Sequence, residues 1–135
     1  MDVAAALDVV RRQHHAVLAT IRGDGRPQLS PVSAGVLDDA VVVSSRETAM
    51  KVRNLRRRPS ASLCVFPDGF YGEWVQVEGP AEVVSLPEAM EPLMAYYRQV
   101  AGEHPDWDEY RSAMENERRV IVRVTVQRAG PDRSG

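Results

Sequence analysis

Lysine occurs once in this chain, at position 51, beside sixteen arginines. It lies in a segment, residues 46–58, that holds Arg46, Lys51, Arg53, Arg56, Arg57 and Arg58 against the single acid Glu47, a local charge of +5. The 135 residues together carry 17 basic and 19 acidic side chains, net −2, so the rest of the chain sums to −7. A positive island on an acidic chain points to an anionic ligand at that place. The chemistry on offer is phosphate binding. A helix start presents N–H groups without intrahelical partners and the positive end of the helix dipole. Ser44, Ser45 and Thr48 add hydroxyls just before it, and Lys51 and Arg53 add charge. In so arginine-rich a chain, one retained lysine suits a site that needs a compact ammonium rather than a planar fork. The plainer alternative is a solvated helix face.

No other set of residues offers a reaction of its own. His14, His15 and His104 have no partner at metal-ligand spacing, and adjacent strand residues such as His14 and His15 point to opposite faces. There is no nucleophile elbow, no Walker loop and no dinucleotide fingerprint. Asp38-Asp39 reads as a solvated turn, and Cys64, the single cysteine, as a small core residue within an apolar strand. If the chain is an enzyme, a bound cofactor supplies the reactive group. A nucleic-acid-binding barrel is the competing use of a basic patch. Such a surface interleaves aromatics for stacking, and none occurs between residues 46 and 58.

The elements that must position the island follow from periodicity. Asp2 caps a helix over residues 2–12, with Val3, Ala6, Leu7 and Val10 on one face. Residues 15–21 form a buried strand, Asp24-Gly25 a hairpin turn, and residues 27–36 the return strand with Gln28, Ser30, Val32 and Ala34 on one side. Residues 40–45 follow as a strand. Thr48 caps a helix to Arg58, stopped by Pro59, with Val52 and Leu55 inward. Residues 61–66 and 73–84 are the next strands, Gly79-Pro80 marking a bulge or an edge. Ser85-Leu86-Pro87-Glu88 is a capping box opening a helix to about Val100 that Pro92 kinks or splits. Asp106 caps a helix to Glu117, residues 120–126 form the last strand, and residues 128–135 are a flexible tail. Six antiparallel strands with short helices at their corners make one mainly β domain over residues 1–135, a closed or partly closed barrel. With no apolar run long enough to span a bilayer and no leader pattern, the expected location is the cytoplasm, away from membranes.

The segments VLATI with DGRPQLS (residues 17–21 and 24–30), KVRNLRR (51–57), YRQVAGEHPDW (97–107) and YRSAM (110–114) resemble the pyridoxamine 5′-phosphate oxidase-like split β-barrel proteins. They are most similar to the actinobacterial branch that depends on the deazaflavin coenzyme F-420. The resemblance runs in order from about residue 15 to 126. It implies a six-stranded split barrel of the FMN-binding type, a homodimer with cofactor sites at the interface, and hydride transfer to a small organic acceptor. It further implies that Lys51 binds the coenzyme phosphate with Arg53 and the Ser44 hydroxyl. Arg26, Gln28 and Ser30 would lie near the ring, and Trp74 would line the pocket from the other subunit. Ala49 and Pro31 depart from the family pattern, where an arginine and a polar residue are usual. FMN is the alternative cofactor, and a non-catalytic cofactor carrier the alternative role.

Overall fold

The computed structural model describes residues 1–131. Its elements are α1 (Val3–Arg12), β1 (His15–Ile21), β2 (Pro27–Ser33), β3 (Gly35–Leu37), β4 (Ala40–Arg46), α2 (Met50–Arg57), β5 (Ser60–Phe66), β6 (Val75–Val84), α3 (Met90–Ala101), α4 (Trp107–Glu117), β7 (Arg119–Val124) and β8 (Arg128–Gly130). The strands form one antiparallel sheet in the order β2-β1-β5-β6-β7-β4-β3, with β8 added to β6. Because β2 and β3 are successive in the chain and stand first and last in that order, the sheet curls back on itself as a split barrel. No helix among the described residues is long and apolar enough to cross a membrane.

Eight strands replace the expected six, and both additions depend on partners remote in sequence. The expected strand over residues 27–36 divides at Ala34: its N–H still donates in register to the His14 carbonyl at 2.7 Å, but its own carbonyl lies 2.7 Å from the His14 ring Nδ1 and the ladder ends there. Beyond the break, the Gln99 side-chain amide of α3 bonds both the N–H and the C=O of Val36, standing in for a neighbouring strand. The second addition is β8. Residues 128–130, expected in a flexible tail, pair with Gln76, Val77 and Glu78 of β6; residues 132–135 lie outside the described residues.

Gly79-Pro80 marks a bulge, but the extra residue sits on the partner. Ala81 pairs with Val124 and Glu78 with Arg128, so three steps on β6 face four on the β7–β8 run. Thr125 donates to the Pro80 carbonyl at 2.9 Å and Gln127 to that of Glu78 at 2.9 Å. A Cβ at Gly79 would stand 1.8 Å from the Thr125 carbonyl oxygen, so only glycine admits this approach.

Two apolar clusters hold the fold. The barrel interior gathers Leu18, Val41, Val43, Leu63, Val65, Val77 and Val122, closed by Ala6, Leu7, Val9 and Val10 of α1 and by Leu55 of α2. Outside the barrel, Val42 and Ile121 of β4 and β7 pack against Met90, Leu93, Met94 and Tyr96 of α3 and Tyr110 and Met114 of α4. The strong alternation of β4 therefore serves two cores, one on each face.

Four helix starts test the capping readings. Asp2 and Asp106 cap as expected, accepting from the Ala4 and Glu109 amides. Thr48 does not: α2 begins at Met50 with Ala49 as an uncapped N-cap. Nor is Ser85 a cap. A turn with a cis Leu86-Pro87 bond intervenes before α3, and the Ser85 hydroxyl bonds Glu47 and Arg56. Pro92 neither kinks nor splits α3, because it falls in the first turn, where its missing N–H has no intrahelical acceptor.

Candidate functional site

Strand β4 sends Val41, Val43 and Ser45 into the barrel, and so Val42, Ser44 and Arg46 to the outer face. Directly opposite on β7, Ile121 pairs with Ser44 and Arg119 with Arg46. Two guanidiniums on neighbouring strands repel unless an acid lies between them. Glu117, at the end of α4, is that acid. Its Oε1 accepts from the Arg119 Nε at 2.9 Å and from Arg46 at 3.2 Å. Arg118, left-handed at φ 52°, turns the chain between Glu117 and β7, and its carbonyl accepts from the Glu47 amide at 2.9 Å. That bond ties the end of β4 to the start of β7.

Lys51, in the first turn of α2, lies within the field of Arg119. Its ammonium is half-buried and has no hydrogen bond or ion pair among the described residues. Burial and then the Arg119 charge lower its pKa from the ordinary lysine value. Burial works to raise the Glu117 carboxyl, but hydrogen bonds and charge from Arg119 and Arg46 outweigh it and hold the group below its ordinary value. The nearest acid on the loop, Glu47, is already taken by Arg56 and by Ser85. Two guanidiniums thus share one carboxylate, with the Lys51 ammonium within the field of one of them, an arrangement suited to a multiply charged anion. Tyr96 of α3, within the field of Arg119, donates its hydroxyl to the Ser33 carbonyl at 2.7 Å. Burial raises its phenol pKa.

Of the residues expected to bind a cofactor, Ser44 lies on the same face of β4 as Arg46, and Lys51 lies within the field of Arg119. Arg53, two positions beyond Lys51, points to another face of α2, about 200° round, and is exposed without a hydrogen bond or ion pair among the described residues. Arg26 stands exposed on the β1–β2 hairpin. Gln28 and Ser30 face inward. Gln28 accepts from the buried Thr20 hydroxyl at 3.3 Å, and Asn54 donates to that hydroxyl at 3.1 Å while accepting from Arg57. The Ser30 hydroxyl is buried with no hydrogen-bond partner among the described residues.

Trp74 belongs to a different surface. With Val17, Cys64, Phe66, Phe70, Tyr71 and Gly72 it lines an apolar cleft of about 430 Å³. Cys64 is therefore not a core residue. Ala61, Leu63 and Val65 take the inward positions of β5, and period-2 alternation sends Cys64 out. Partial burial in the cleft raises its thiol pKa. The cleft continues an exposed apolar face bearing Leu29 (62% exposed), Phe70 (63%) and Tyr71 (87%).

Sequence reasoning missed Arg119, Glu117 and Tyr96 as members of the anion cluster. Their only sequence signal was polar residues at the start of a strand and the end of a helix, which is common anywhere. It also missed Asn54, a fully buried polar residue within the basic helix.

Residues 3–130 match the pyridoxamine 5′-phosphate oxidase family. The chain belongs to that family. The family includes oxidoreductases and binds flavins such as FMN. Among solved structures, a conserved hypothetical protein of Mycobacterium tuberculosis is 27% identical, with 100% of this chain and 92% of that one covered at a TM-score of 0.78. An F-420 reductase is 21% identical over 91% of this chain and 94% of its own, TM-score 0.69. A heme-binding protein of Mycobacterium smegmatis is 23% identical over 95% of this chain and 55% of its own, TM-score 0.69. The last two share the fold.

Proposed function

We propose that this family member is an oxidoreductase dependent on coenzyme F-420, with its cofactor phosphate at the Lys51 cluster. The observation that carries the reading is the half-buried Lys51 ammonium, unpaired among the described residues beside Arg119, with Ser44 on the adjoining strand face. These groups suit a phosphate: a compact cation, a fork and a hydroxyl, on a surface with one acid. When bound, the reduced deazaflavin supplies two electrons as a hydride equivalent to a small organic acceptor. The chain's own residues bind, orient and exclude water. Lys51 and Ser44 fix the phosphate end, and Arg53 adds charge at longer range. Arg26, Gln28 and Ser30 flank the ring, the buried Ser30 hydroxyl being a donor still without an acceptor. Trp74 lines the pocket from a second subunit of a homodimer, its apolar cleft and the exposed Leu29, Phe70 and Tyr71 supplying the dry contact.

The choice of deazaflavin rests on the segment over residues 97–114. It folds into a cluster in which the rings of Tyr97, His104, Trp107 and Tyr110 lie between 5.0 and 5.8 Å apart. FMN is the second reading, favoured by the family's flavin binding and by an anion cluster that does not distinguish two phosphate-bearing cofactors. Parallel fluorescence titrations of desalted protein with oxidised coenzyme F-420 and with FMN separate them. Tighter binding of the deazaflavin is the expected result. Tighter binding of FMN establishes the second reading, and binding of neither overturns both.

A further inference from the structure

We infer that Glu117 is a built-in competitor for the anion site: its carboxylate holds the guanidiniums of Arg46 and Arg119, and an incoming phosphate displaces it and takes Arg119 as a ligand. The inference rests on the proposed phosphate position at Lys51 and gives Glu117 and Arg46 a part in that site. Arg46 and Arg119 both donate to one oxygen, Oε1 of Glu117, and Oε2 has no partner among the described residues. The pair is therefore a shared, one-atom grip rather than two bidentate forks. Bidentate contact is the stronger geometry for a guanidinium on an oxyanion.

The charge balance favours exchange. Arg46 and Arg119 carry two positive charges against the one carboxylate, Lys51 adds a third within the field of Arg119, and Glu47 is held elsewhere by Arg56 and Ser85. A phosphate monoester brings up to two charges and three acceptor oxygens, enough to engage Lys51 as well as Arg119. The Tyr96 and Tyr110 phenols near the cluster are neutral near pH 7 as phenols ordinarily are, and burial raises both further, Tyr110 to about 12. Glu117 is thus the anion a ligand must replace. The Glu117 and Arg46 side chains are accessible, at 34% and 57% exposure, so exchange needs no rearrangement of the core. Arg119, at 26%, is held in place by its strand.

The test uses full-length protein and four variants, Glu117→Gln, Arg119→Gln, Arg46→Gln and Lys51→Ala, each checked to be folded at the titration temperature by a cooperative thermal unfolding transition. Coenzyme F-420, FMN and phosphate-free riboflavin are titrated by fluorescence at fixed salt. Glu117→Gln is expected to tighten both phosphate-bearing ligands about 5-fold, the upper scale of an exposed ion pair, and to leave riboflavin unchanged. Arg119→Gln is expected to weaken them about 10-fold, and Arg46→Gln less. If Glu117→Gln instead weakens binding, Glu117 positions the arginines and the inference fails. It also fails if Glu117→Gln and Arg119→Gln are silent while Lys51→Ala weakens binding; the Lys51 reading then stands alone. If Lys51→Ala is silent while Arg119→Gln weakens binding, the proposed anchor at Lys51 falls instead.

Discussion

Lys51 carries a charge at a position that penalises it, since both burial and Arg119 disfavour protonation. A phosphate beside it reverses that penalty. Lys51→Ala is accordingly expected to weaken binding of the phosphate-bearing cofactor by about 1–3 kcal/mol, the scale of a charge-assisted contact. Because the ammonium has no hydrogen bond or ion pair to lose among the described residues, the thermal midpoint should hold or rise; titration and a melting curve check both halves. Glu117 shows the opposite linkage. Its folded pKa lies below the ordinary 4.5, so between the two values the unfolded chain binds more protons. Its contribution to stability is full above about pH 4.5 and is lost as pH falls through the folded value. Urea unfolding across that acid range should therefore show a steeper loss for the wild type than for Glu117→Gln.

At the scale of elements, β4 and β6 do the positioning. Strand β4 divides its side chains between the barrel core and the α3–α4 core, which presents Ser44 and Arg46 on the same face as Arg119. Strand β6 changes neighbours at Gly79-Pro80, where the β7–β8 run carries its extra residue. That junction holds β7, and so Arg119, in register. Gly79→Ala places a methyl group on the Thr125 carbonyl and should cost about 3 kcal/mol, the upper part of the overpacking range. Chemical denaturation measures it, and a loss below about 0.5 kcal/mol would mean the β7–β8 run yields freely. The hairpin, the extents of β1 and β5 and the Asp106 cap were legible because each is set by residues within a few positions of one another. The break at Ala34 and the eighth strand were not. Each depends on a remote partner, His14 and Gln99 in one case and β6 in the other.

For the molecule as a whole, two surfaces differ in kind. One is a cluster of charge around Lys51, Arg119 and Glu117; the other is an apolar face around Trp74, Phe70, Tyr71 and Leu29. Exposed large apolar side chains gathered next to a cleft mark an interaction surface. We propose that a second copy covers it, and Phe70→Glu is then expected to shift the protein from dimer to monomer. Sedimentation velocity decides: a monomeric wild type, or a variant that still sediments as a dimer, removes this face from the interface. The same substitution should weaken cofactor binding if the partner's Trp74 completes the pocket.

The sequence by itself determined the positive island, the positions of the core strands, two of the helix caps and the family resemblance. All of these are written in short-range spacing and composition, which side-chain periodicity and capping chemistry convert directly into local structure. Even the outward direction of Cys64 was implicit in the alternation of Ala61, Leu63 and Val65, although its apolar neighbours suggested a core residue. Only the tertiary structure decided which charges meet. Arg46 and Arg119 are adjacent because β4 and β7 pair in one register, and Glu117 lies between them because α4 ends where β7 begins. Cross-strand register is fixed by the packing of both faces of the sheet, so no local pattern around residue 46 could have named residue 119.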